Sequence, residues 1–175
     1  RPPRRRFAQA QQVTDTRAPG IWQNDVSAAI DAEGDVVMTY VAAQRLGRGK
    51  PFVLPVSLLR PDGRIEHHVV ATSRQQHTDQ MIAGGRDGTV YLTWLGWDGD
   101  SMPEQHMQIG LSRSRDGIHW STPLDVHLPA DCPGDAPGCM DKANVATGRL
   151  PRSTNEAIYV AYGHGSDVFN PRIVR

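Results

Sequence analysis

Two carboxylates, Asp25 and Asp79, stand 54 residues apart in matching surroundings. A pair of carboxylates brought together by a repeat suits cleavage of a glycosidic bond, which uses two such groups roughly 5–10 Å apart. It suits equally a structural task, in which each accepts backbone N–H groups at a turn. A second set of polar residues groups further along: Trp97, Asp98, Asp100, Glu104 and His106, then His164 and Asp167. His77, Asp79 and His106 form a candidate metal set, and Asp98, Asp100 and Glu104 supply hard oxygens for a structural calcium. Neither matches a known metal-binding loop, and no other cofactor is predicted.

These residues are placed by a repeat. The segment Asp25–Tyr40 lies over Asp79–Trp94 without a gap, matching Asp25 with Asp79, Ala29 with Ala83, Gly34 with Gly88, Val36 with Val90 and Thr39 with Thr93. Arg60-Pro61-Asp62-Gly63 falls on Ser114-Arg115-Asp116-Gly117 at the same spacing, and a third copy begins near Asn144 and resumes at Ile158–Tyr162. Its turn carries about five extra residues, Arg149 to Glu156. Each unit reads as an apolar strand, a Gly-containing turn and a strand ending in an aromatic (Tyr40, Trp94, Tyr162). A variable loop, a third strand, an Asp-Gly turn and a fourth strand complete it. No stretch keeps a helical period over three turns. Four strands in a unit of ~50 residues describe a propeller blade, so the fold class is all-β, with two and a half to three four-stranded antiparallel blades. The boundaries expected are 1–24 for a basic segment, linker and edge strand, 25–78 and 79–141 for two blades, and 142–175 for part of a third.

The sequence Ser114-Arg115-Asp116-Gly117-Ile118-His119-Trp120 resembles the Asp box of sialidases and related BNR-repeat propellers. The first unit has Arg60, Asp62, Gly63 and Glu66 at the corresponding places, so its box is degenerate. The chemistry of such a turn is structural: a short carboxylate accepts turn N–H groups, glycine supplies a positive φ, and the Trp shields the bonds. The resemblance implies that Asp116 lies away from the substrate face. It also implies that the ligand face carries the loops between second and third strands and between blades, hence Trp97, Asp98, Asp100, His106, His164 and Asp167. A sialidase would need an arginine triad, a Tyr nucleophile and an Asp acid/base. No Arg-Ile-Pro motif precedes the first box, and Tyr40 and Tyr162 suit packing between blades better than nucleophilic attack.

Bulk properties exclude other classes. Lys plus Arg and Asp plus Glu number 19 each, so no net field favours nucleic acid. No apolar run reaches the ~20 residues of a membrane span. The two cysteines, Cys132 and Cys139, enclose a Pro/Gly-rich hexapeptide that bends back on itself, which favours a disulfide over a metal pair or free thiols and implies a secreted or periplasmic location. So few blades leave open edges, which predicts another polypeptide or a symmetry copy completing the propeller. The expected function is recognition or scaffolding by a secreted sialidase-like propeller segment; the alternative is a glycoside hydrolase with part of its site on other blades.

Overall fold

The computed structural model describes residues 21–44, 54–98, 105–127, 139–150, 152–164 and 170–174. Among these residues the chain forms strands and no helix. The first sheet holds β1 (Ile21–Ile30), β2 (Val36–Gln44), β3 (Pro55–Leu59) and β4 (Ile65–Val69). The second holds β5 (Gln76–Gly84), β6 (Val90–Asp98), β7 (Gln105–Ser114) and β8 (Leu124–Asp125). The third holds β9 (Met140–Arg149), β10 (Glu156–His164) and β11 (Asn170–Val174). Every neighbouring pair is antiparallel and follows chain order, as hairpin connections dictate.

The sheets stack like the blades of a propeller, and their central strands are apolar on both sides for that reason. Along β6, Val90, Leu92 and Trp94 join Val37, Leu54, Val56, Leu58 and Val70 in a core between the first and second sheets. Tyr91 and Leu95 face the other way, into a core with Met107, Ile109, Met140, Val145, Val160 and Tyr162. Side chains alternate across a strand, so one strand feeds both interfaces. The first strands lie side by side and are linked by hydroxyls. Ser27 Oγ donates to Ile82 O at 3.3 Å and accepts from Ile82 N at 3.1 Å, and Thr147 Oγ1 donates to Gly84 O at 2.8 Å.

The blade boundaries shift from those expected. Strand β1 begins at Ile21, β5 at Gln76 and β9 at Met140, each a few residues upstream of the expected unit. Asp25 and Asp79 therefore sit within their strands. The physical reason is a β-bulge, which interrupts the pairing without ending the strand. The fourth strands are short, Ile65–Val69 and Leu124–Asp125, and β8 starts late because the turn that follows β7 occupies the chain as far as Ser121, whose N–H bonds Arg113 O at 2.9 Å.

The two Asp-Gly turns differ in kind. Val36 pairs with Leu59 and Val90 with Ser114, so Leu59, one residue before Arg60, corresponds to Ser114. In the first sheet Arg60–Arg64 is a tight hairpin: Gly63 N donates to Arg60 O at 2.9 Å, and Asp62 Oδ1 accepts from Arg64 N at 2.9 Å. In the second, Asp116 Oδ1 accepts from Ile118 N at 2.9 Å and His119 N at 2.8 Å, Ser114 Oγ lies 3.0 Å from it, and Trp120 Nε1 donates to Gly117 O at 3.0 Å. Burial pushes the Asp116 carboxyl up, but the hydrogen bonds from His119, Ile118 and Ser114 outweigh it and hold the group well below the usual carboxylate range. Gly117 has φ +68°, and a Cβ there would lie 3.0 Å from Leu58 and 3.1 Å from Val37, so the turn docks on the preceding sheet.

Candidate functional site at the first strands

The same irregularity recurs once in each sheet. In β1, Asn24 pairs with Val41 and Ser27 with Thr39, leaving Asp25 and Val26 opposite Tyr40. In β5, Thr78 pairs with Leu95 and Met81 with Thr93, leaving Asp79 and Gln80 opposite Trp94. In β9, Asp141 pairs with Gly163 and Asn144 with Ala161, leaving Lys142 and Ala143 opposite Tyr162. The leading residue of each bulge is left-handed: Asp25 at φ +50°, Asp79 at +52° and Lys142 at +54°. Such a φ is strained for a residue with a Cβ, least so for Asp, and its recurrence in three sheets marks a built feature. The paired large aromatics explain the spacing of Tyr40, Trp94 and Tyr162.

The bulges bring their side chains together across sheets. Lys142 Nζ lies 3.5 Å from Asp79 Oδ1, and Asp79 is 8 % exposed. Burial pushes the Asp79 carboxyl above its ordinary value and Asp141 adds to this, while the ammonium and backbone amide of Lys142 oppose both. Lys142 is raised in turn, chiefly by the Asp79 carboxylate, with Asp141 and Asp25 also contributing. Lys142, at the third equivalent position, is thus the group that Asp79 engages directly. Composition hides Lys142, since its charge is opposite and the longer turn before β10 breaks the spacing. The signal that finds it is the aromatic at Tyr162, which the bulge must face.

The other expected site residues have separate settings. Trp97 is half-buried and packs on the core between the second and third sheets. Asp98 pairs with Arg74 Nη1 at 2.8 Å, which turns the acid toward the connection between the first two blades. His164 is half-buried at the end of β10. His106 is placed by its backbone in β7, while Asp100, Glu104 and Asp167 lie outside the described residues. His77 is buried, bonds the Thr72 hydroxyl through Nε2 and meets Trp94 edge-on at 6.5 Å, whereas Asp79 engages Lys142 in the third sheet. Of the candidate metal set, His77 and Asp79 therefore have different neighbours. Among the described residues no group of three His, Cys, Asp or Glu is placed to hold a metal ion. Cys139 is buried with its sulfur 3.7 Å from Met107 Sδ, and Cys132 lies outside the described residues. No described helix is long and apolar enough to cross a membrane.

No family model matches the chain, and no curated protein matches it. Its fold is similar to solved structures. One, named as a complex of BT0996 and RGII, superposes with a TM-score of 0.52 at 12 % identity, over 91 % of this chain and 58 % of that one. Another, named as a "putative glycoside hydrolase from Parabacteroides distasonis", gives 0.53 at 14 % identity, over 87 % of this chain and 50 % of that one. A third, described among mannoside phosphorylases and glycoside hydrolases that target β-1,2 mannosidic linkages in Candida mannan, gives 0.46 at 14 % identity, over 87 % and 48 %. The chain spans about half the length of the solved structures it matches. At these identities the likeness is one of fold, and the fold that it supports is an all-β stack of antiparallel blades.

Proposed function

We propose that this chain is a carbohydrate-recognition segment of a larger, secreted sialidase-like propeller, with its ligand held at the bulged first strands. The observation that carries the reading is the Asp79–Lys142 pair, a buried carboxylate 3.5 Å from an ammonium, set on left-handed bulges of the kind that Asp25 occupies in the first sheet. Carboxylate and ammonium together accept from and donate to neighbouring sugar hydroxyls, and a rigid strand fixes their geometry better than a loop does. The names of the two structural neighbours with TM-scores above 0.5, one a glycoside hydrolase and one an RGII complex, support a carbohydrate ligand by analogy of fold. The Ser114–Trp120 turn supports the sialidase-like reading, and a Cys132–Cys139 disulfide, expected from the Pro/Gly-rich hexapeptide between the two cysteines, would fit a secreted protein.

A second reading, glycoside hydrolysis, is favoured by one feature: burial raises the Asp79 carboxyl, the direction that a general acid needs. Binding to an immobilised panel of neutral and acidic oligosaccharides tests the first reading, with Asp79→Asn and Lys142→Met beside the parent. Loss of binding in both variants supports it, and equal binding in all three sinks it. Release of reducing sugar from the bound oligosaccharides, abolished in Asp79→Asn, would move the assignment to hydrolysis.

A further inference from the structure

The two blade interfaces can be compared position by position, because the register of each sheet is the same. Val56 opposite Thr39, Leu111 opposite Thr93 and Ile173 opposite Ala161 are equivalent residues facing the next blade. Val56 is 0 % exposed, Leu111 is half-buried and Ile173 is 70 % exposed. Val70 and Val126 are equivalent too, each donating its N–H at 2.9 Å to the matching carbonyl, Leu54 O and Ile109 O. Val70 is buried, whereas Val126 is half-buried. Between the second and third sheets this difference opens a cleft of ≈ 390 Å³, lined by the aliphatic residues Leu111, Val126, Leu150, Ala157, Ile158 and Val160 and, as its one charged member, by Glu156.

The first interface shows what such a space holds. There Ile118 and Trp120, on the turn after β7, pack on the core formed by Val37, Val56, Leu58 and Val70, and Gly117 seats the turn against Leu58 and Val37. We propose that the Leu111–Val160 cleft is the docking site for a β-hairpin turn carrying an aliphatic-x-aromatic pair, the counterpart of Ile118-His119-Trp120, presented by polypeptide outside these 175 residues. The cleft repeats the place of an interface already built once in the same molecule, and its lining, apolar apart from Glu156, suits the side chains that fill the first copy. The inference rests on the blade repeat and is independent of the carbohydrate reading.

The probe is a synthetic peptide with the sequence of residues 105–127, added to the chain with methyl-labelled Ile, Leu and Val. Saturable shifts are expected at Leu111, Val126, Ile158 and Val160, with Val56 and Val70 unmoved. A Trp120→Ser peptide should bind about tenfold more weakly or worse, as loss of a buried aromatic anchor does. In the protein, Val126→Glu should abolish the shifts while the Val56 and Val70 methyls report an intact first core. Absence of shifts at millimolar peptide, or shifts that the Trp120→Ser peptide reproduces in full, would overturn the proposal. The peptide comparison decides the matter even where Val126→Glu perturbs folding.

Discussion

Arg60 and Glu66 grip each other across the first Asp-Gly hairpin through two parallel bonds, Nε to Oε1 and Nη2 to Oε2, both 3.2 Å. The same guanidinium bonds Asp35, whose side chain is buried, and approaches Glu33 at 3.6 Å. Arg115 approaches Asp87 at 3.4 Å in the second sheet, so an arginine after the third strand reaches the first hairpin in both blades. In the first blade this ionic clasp does the work that the Asp116 hydrogen bonds do in the second.

Removing Arg60 leaves Asp35 without a buried counter-charge, which costs far more than losing Glu66 from a partly solvated pair. Arg60→Ala should therefore lower the thermal midpoint by several degrees, and Glu66→Gln by clearly less. The Arg60 bond holds Glu66 below its usual value near 4.5, despite opposing desolvation. Its stabilisation is present above that value and fades as the pH falls through the lower folded one. Unfolding curves at neutral and acid pH should show this fraction of acid sensitivity gone from Glu66→Gln; an unchanged pH profile would contradict the assignment.

Asp116 presents the same sign of pH dependence from a different cause. Its carboxylate gathers amide, hydroxyl and imidazole partners, so Asp116→Ala should cost about 2 kcal/mol, the worth of hydrogen bonds to a charged group. The loss should be largest above the ordinary Asp value of 3.8 and shrink as acid protonates the parent. Chemical denaturation across that range measures it. Unchanged activity or ligand binding in a folded variant is expected, since the turn is structural.

Gly110 gives a packing prediction. A Cβ there would fall 2.1 Å from Trp94 Cε2, and Trp94 is fully buried, so the indole has nowhere to retreat. Gly110→Ala should destabilise by about 3 kcal/mol, at the upper end of overpacking costs. Gly148→Ala meets only the Tyr159 ring edge at 3.5 Å, and should stay within about 0.5 kcal/mol of the parent. Equal losses in the two variants would refute the packing account.

Much of the blade plan was legible because it depends on local signals. Gly34 and Gly88 adopt φ +86° and +79° in matching turns, and Asp31 and Asp87 accept N–H groups two residues on, as short carboxylates in turns do. The strand ending in Trp94 was likewise legible, while its cover on both sides comes from the two cores that it feeds. What the sequence hid was set by contacts between blades. The one-residue shift of the third strand follows pairing across β2 and β6, and an Asp-Gly dipeptide reads alike in a tight hairpin and in a turn reaching Trp120. Lys142 was missed because the bulge repeats a backbone shape, while the side chain at that place differs in charge. Asp25 and Asp79 stand out in the sequence because they repeat the same residue.

The Asp79–Lys142 pair makes the final prediction. Burial raises the Asp79 carboxyl, so ionising it in the folded chain costs stability. That cost is absent below the ordinary value of 3.8, where folded and unfolded forms are both protonated, and grows as the pH rises through the folded value. Asp79→Asn should then be at least as stable as the parent at neutral pH and lose its advantage in acid. Lys142 opposes the upward shift, so Lys142→Met should move the Asp79 midpoint higher, while Lys142→Arg should leave it nearly in place. Carbon-detected titration of the Asp79 carboxyl distinguishes the three chains. A midpoint that ignores Lys142→Met would mean that the 3.5 Å approach carries no electrostatic coupling, and the bulged strands would then present two independent groups to a ligand.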